Sequence, residues 1–172
     1  MESLPIIKND PWLEPYTDAI VGRHNDALNK ERELTAVDGS LDKFANAYNY
    51  FGLHRTPTGW VFREWAPNAT GITLIGDFSK WRELVKYRLK PKKNGVWEIR
   101  LKENDLHHGD LFKMIVDWDG GRGERIPAYA NRVVQDEQTK IFSAQVWAPE
   151  TQYKWKVKKF VPDTKPLLIY EC

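Results

Sequence analysis

The stretch GITLIGDFSKW, residues 71–81, decides the fold. Ile72, Leu74 and Gly76 alternate with Thr73, Ile75 and Asp77, the period-two pattern of a buried strand. Asp77, Ser79 and Lys80 then supply turn chemistry, and Trp81 places a large apolar ring where a turn normally ends in a small polar residue.

Working outward, short β-rich runs recur between turn signals. Val61 to Trp65, Ile72 to Gly76, Val96 to Leu101, Leu111 to Asp117, Arg132 to Gln135 and Phe142 to Trp147 read as strands. Pro67-Asn68, Asn94-Gly95, His108-Gly109-Asp110 and Asp119-Gly120-Gly121 punctuate them. That spacing predicts a mainly β fold, an immunoglobulin-like antiparallel β-sandwich over residues 55–150. Upstream, residues 1–54 change period. Asp10 caps and Pro11 opens a helix expected over about 15 to 35. Ser40 caps a second one that should bury Leu41, Phe44, Ala45 and Tyr48 and end at Gly52. This helical arm carries one apolar stripe and needs something to pack on. Residues 151–172 read as a linker, broken by Pro162 and Pro166, followed by an apolar strand Leu167-Leu168-Ile169-Tyr170. A continuous apolar run suits a strand buried on both faces, so a following domain is expected.

The 172 residues, 41% hydrophobic and 29% charged, suit a globular chain able to bury a core. A formal net charge of +2 is too mild to call for nucleic acid. The basic stretch Lys86 to Lys93 reads as a solvated loop. The single cysteine, Cys172, permits no internal disulfide and suits a reducing compartment. Neither a basic-then-apolar leader nor an apolar run of roughly 20 residues is visible, so a cytoplasmic protein without a membrane partner is expected. Catalytic patterns are absent too. Asp136 and Glu137 are adjacent and would face opposite sides of a strand. His107-His108 beside Gly109-Asp110 reads as a turn and not as a metal site, and Ser79 and Ser143 have no evident base. Binding without a cofactor, metal or catalytic residue is the expectation. Among the eight tryptophans, Trp60, Trp65, Trp97 and Trp147 are core candidates, and Trp12 and Trp155 are expected to pack the arm and the tail.

Three features together resemble the family 48 carbohydrate-binding module. They are Arg63-Glu64-Trp65-Ala66-Pro67, then Gly76-Asp77-Phe78 with Trp81, then Lys113 opening a strand that ends at Asp117. The arm, with His24-Asn25, Ala27 to Glu31 and Phe44 through Tyr50-Phe51-Gly52-Leu53-His54, resembles the N-terminus of eukaryotic-type branching enzymes, and Leu168 to Cys172 resembles their first barrel strand. The resemblance implies the N-terminal portion of a glycoside hydrolase family 13 branching enzyme of glycogen biosynthesis. Such an enzyme cleaves an α-1,4 linkage and re-attaches the chain as an α-1,6 branch by a retaining two-carboxylate route. The carboxylates would lie beyond Cys172, and the partners would be an α-1,4-glucan and the catalytic barrel. By the same resemblance Trp81 stacks on glucan and Lys113 donates to its hydroxyls. A second ring, Trp118, follows Asp117 directly. The position of a sugar-binding asparagine falls near Ile141, with Thr139 as the neighbouring substitute. A free-standing glucan-binding regulatory module and an immunoglobulin-like interaction domain are the alternatives.

Overall fold

The computed structural model describes residues 4–151, 153–157, 159–161 and 170. Two antiparallel sheets form the sandwich. One has the order β1 (Gly52–Thr56), β2 (Gly59–Trp65), β5 (Val96–Lys102) and β4 (Lys90–Pro91). The other runs β3 (Ala69–Gly76), β6 (Leu111–Trp118), β9 (Phe142–Gln145) and β8 (Val133–Gln135), with β7 (Gly121–Arg125) added beside β6. Six of the strands coincide with the expected ones within a few residues at each end.

Alternation in each sheet aims one side chain in two at the shared core. Phe62, Trp97 and Ile99 from the first sheet meet Ile72, Leu74, Phe112 and Met114 from the second. Phe62 and Phe112 cross edge to face, with centroids 6.3 Å apart, an arrangement that adds about 0.5–1.5 kcal/mol beyond area burial. Phe62, Ile72, Leu74 and Val146 are almost wholly enclosed.

Tryptophan parity divides the expected core set. Trp60 and Trp97 are buried, whereas Trp65 is 59% and Trp147 46% exposed. Trp65 stands five residues after Trp60 on one strand, so the two rings must leave opposite faces. Trp147 follows the inward Ala144 and Val146 and points out for the same reason.

The arm departs most from expectation. Asp10 does cap a helix, its carboxylate accepting the Trp12 amide at 3.1 Å, but Pro11–Tyr16 is a 3-10 turn, and α2 (Thr17–Thr35) follows α1 (Pro5–Asn9) and that turn. The second expected helix is only α3 (Leu41–Phe44), succeeded by a 3-10 turn at Ala47–Asn49. Leu41, Phe44 and Tyr48 are exposed, as are Trp12 and Trp155. Gly52 opens β1 instead of ending a helix. The basic stretch is no loop either. Tyr87 and Leu89 are buried, Arg88 bridges Thr73, and Lys90–Pro91 pairs with β5. The strand expected at Leu167 to Tyr170 lies outside the described residues, apart from Tyr170.

Candidate functional site

Two aromatic surfaces stand on this frame. The first is the turn that follows β3. Gly76 must be glycine there, since a Cβ would lie 2.9 Å from the Phe112 Cβ and against the Leu111 carbonyl of the paired strand. The 3-10 turn Asp77–Ser79 follows, locked by the buried Ser79 hydroxyl on the Gly76 backbone at 3.2 Å. Lys80 and Trp81 then both adopt the left-handed region, at φ +52° and +57°. A bulky residue there is strained, and such strain concentrates at functional positions. Asp77 anchors the turn twice. Its Oδ1 accepts the Trp81 indole N–H at 3.0 Å, and its Oδ2 accepts the Leu111 amide at 2.8 Å. The indole N–H is thereby occupied and the ring, 40% exposed, offers its face.

The predicted partners of Trp81 are distributed unequally. Lys113 lies opposite Ile75 on β6, near the same end of the sheet, with its side chain largely covered and its Nζ donating to Glu124 at 2.9 Å. Trp118 closes the far end of β6, roughly 17 Å from Lys113 at ~3.3 Å per residue, and an odd number of residues apart, hence on the opposite face. Arg125 lies over its ring at 5.3 Å. Thr139 belongs to the β8–β9 turn, where its hydroxyl donates to Asp136 Oδ1 at 2.8 Å. The backbone amides of Gln138 and Thr139 bond the same carboxylate, and together these bonds hold it below the usual Asp range. Lys113 lies toward the end of β6 nearest the Trp81 turn and Trp118 closes the far end, while the turn of Thr139 contributes Asp136, Gln138 and Ile141 to a cavity of about 720 Å³ that Asp77 also lines.

The second surface belongs to Trp65, which was expected in the core. Its indole N–H donates to the Asn94 carbonyl at 3.0 Å, tethering the ring on the outside of the first sheet. Across a mainly apolar cleft of about 590 Å³ stands Tyr129, stacked on Phe51 with centroids 5.6 Å apart and planes at 20°. Gly52 permits that stack. It adopts φ +87°, and a Cβ there would collide with the Tyr129 carbonyl. Glu64 lies buried beneath the cleft, its two oxygens accepting the amides of Trp65 and Ala128 at 3.1 and 3.0 Å. Burial raises its pKa, and those two bonds only partly oppose the rise. Rigid, pinned rings over an apolar trough with few polar groups are the furnishing of a ligand cleft. Parity along β2 was the signal that could have found it.

Residues 50–130 match the family model for carbohydrate-binding module 48 (isoamylase N-terminal domain). The chain carries a family 48 carbohydrate-binding module. Outside the module the similarity continues into the arm, because relatives align over nearly all of the chain. The 1,4-alpha-glucan-branching enzyme of Dictyostelium discoideum is 37% identical over 173 residues, taking in 97% of this chain and 25% of that protein. The enzyme of the same name from Equus caballus is 31% identical over 173 residues, covering 96% of this chain and 24% of its own length. The chain thus spans about a quarter of the length of the curated relatives it matches. Among solved structures, type I pullulanase from Bacillus subtilis str. 168, complexed with maltose, matches at a TM-score of 0.50 and 19% identity. That match covers 66% of this chain and 16% of that one and bears on the fold of the module alone.

Proposed function

We propose that this chain is the glucan-holding portion of a 1,4-α-glucan branching enzyme of glycogen biosynthesis, acting in the cytoplasm. It contributes α-glucan binding and support for a catalytic barrel, while the catalytic carboxylates belong to the remainder of the protein. The observation that carries the reading is the pair of outward rings, Trp65 and Tyr129, held apart across an apolar cleft inside the family 48 module. An indole face covers the apolar C–H side of a pyranose. Such contacts are weak singly and suit a polymer that offers the same unit repeatedly.

Trp81 serves as a second contact, favoured by its left-handed backbone and by Asp77, which turns its face outward. Lys113 supports it, since an ammonium with one donor spent on Glu124 retains two for sugar hydroxyls. Trp118, at the far end of β6 and on the opposite face from Lys113, takes no part in this contact. The exposed Trp12, Tyr16, Leu41 and Tyr48 of the arm support packing against the barrel.

Native affinity electrophoresis in glycogen tests the proposal. Retardation of the unmodified chain that falls in Trp65→Ala and, less, in Trp81→Ala supports it. A chain that runs at equal speed with and without glycogen refutes the binding role.

A further inference from the structure

The outer face of the first sheet holds a further cavity, unlike the Trp65 cleft. Five cations, Lys86, Arg88, Lys90, Lys92 and Arg100, line a cavity of about 380 Å³, and Glu98 is the single carboxylate among its lining residues. The fold builds this arrangement. The backbone from Arg88 to Lys92 is extended, so Leu89 enters the core while Arg88, Lys90 and Lys92 leave the same side roughly 7 Å apart. Register on β5 then sets Lys90 opposite Glu98, and Arg100 comes two residues later on the same face.

The charges do not cancel. Arg63, Arg100 and Lys92 share Glu98 at 2.7, 3.3 and 3.8 Å, and Lys86 is bound to Asp105 at 2.7 Å. Among the described residues Lys90 has no ion-pair partner, and Arg88 has none within 4 Å although its Nη2 reaches over Gly71 toward the Asp117 carboxylate, so the cavity keeps a positive surplus on a chain whose net charge is only +2. Like charges crowd at a cost that an anion relieves. A volume of this size matches a small ligand rather than an extended polyanion, and an Arg fork flanked by ammonium groups fits the tetrahedral oxygens of a phosphate.

We propose that this cavity binds a phosphomonoester, carried either on a free hexose or on a glucose unit of an α-glucan. Arg88 grips the phosphate oxygens bidentately, and Lys90 and Arg100 close on it from the neighbouring strands. Glu98, saturated by three cations, holds Arg100 and Lys92 in place. The Trp65 cleft lies on the same sheet face, since Glu98 pairs with Arg63, two residues from Trp65. The site itself does not depend on glucan binding.

Calorimetric titration of the 172-residue chain with glucose 6-phosphate, inorganic phosphate, a 6-phosphorylated malto-oligosaccharide and their unphosphorylated counterparts tests this. Saturable binding of a phosphorylated ligand is expected, weakened at least about tenfold in Arg88→Glu/Lys90→Glu and unchanged in the distant control Lys43→Glu. Affinity should rise between pH 5.5 and 7.5 as the ester loses its second proton near pH ~6, and fall with added salt. The milder Lys90→Gln, with its melting curve, separates lost binding from lost folding. Preference for glucose 6-phosphate identifies the free hexose ester as the source, preference for the phosphorylated oligosaccharide identifies the glucan, and equal affinity for inorganic phosphate overturns the assignment to an ester. Unphosphorylated oligosaccharide should bind the double variant as it binds the parent, whatever its affinity. No saturation by any phosphate, or equal binding by parent and double variant, overturns the proposal.

Discussion

Replacing Trp65 by alanine separates a binding ring from a packing ring, because the structure fixes how much of it faces water. A tryptophan offers up to about 250 Å², so at 59% exposure some ~150 Å² is open and a sugar can cover about half of it, ~75 Å². At ~25 cal/mol per Å² that contact is worth about 2 kcal/mol, a loss of ~25-fold in affinity. For Trp81, 40% exposed, the same reasoning leaves ~50 Å² and about 1.2 kcal/mol, or ~8-fold. The fold should scarcely register the Trp65 change. The indole's bond to Asn94 is lost, at about 1 kcal/mol, for a fall of ~2–4 °C in Tm. Titration with maltoheptaose, beside thermal melts followed by circular dichroism, measures both quantities. A melting temperature lowered by more than ~8 °C, about twice that range, with unchanged affinity would refute the reasoning, since Trp65 would then be a core residue that happens to show an edge.

Three further perturbations follow from particular contacts. Asp77→Ala removes the acceptor for the Trp81 indole and the Leu111 amide. It should cost ~1–2 kcal/mol in urea denaturation and weaken glucan binding as much as Trp81→Ala does, with no further loss in the double variant. Gly76→Ala drives a Cβ into the Leu111 carbonyl and the Phe112 Cβ and should lower stability by ~1–3 kcal/mol or more, an expectation that a wild-type melting curve would contradict. Glu64 gives a pH test. Its pKa is raised by burial, so the folded state binds the proton more tightly than the unfolded one. Its contribution is complete below the ordinary Glu range and lost as pH rises through the raised value. The Tm advantage of the parent over Glu64→Gln should therefore shrink between pH 4 and 7, and an advantage that grows would reverse the assignment.

Much of the sandwich could be read from the sequence because both faces of a strand are written in its alternation. Where that signal is thin, strands escaped. Gly121–Arg125 contains no apolar residue because it is a hairpin edge, and Lys90–Pro91 is two residues in a basic run whose inward members, Tyr87 and Leu89, are spaced to enter the core. Gly52 reads equally as a helix stop and as the first residue of β1. The arm misled for an energetic reason. Apolar spacing reports what a helix can bury, and the exposed Tyr16, Leu41 and Phe44 bury little within the described residues. At the candidate site, Trp81 and Lys113 are named by their pattern alone. Asp77 acts through its two hydrogen bonds, which spacing alone does not reveal. Trp65 was hidden by the tendency of tryptophan to be core, although its distance from Trp60 already placed it outside.

The most direct measurement is a two-dimensional NMR titration of the indole N–H signals with maltoheptaose. Eight tryptophans give eight candidate signals, and the structure sorts them. Saturating shifts at Trp65 and Trp81 are predicted, with Trp60 and Trp97, buried in the core, unmoved. A spectrum in which the Trp65 and Trp81 signals stay fixed while glucan is added to excess would contradict α-glucan binding by this module.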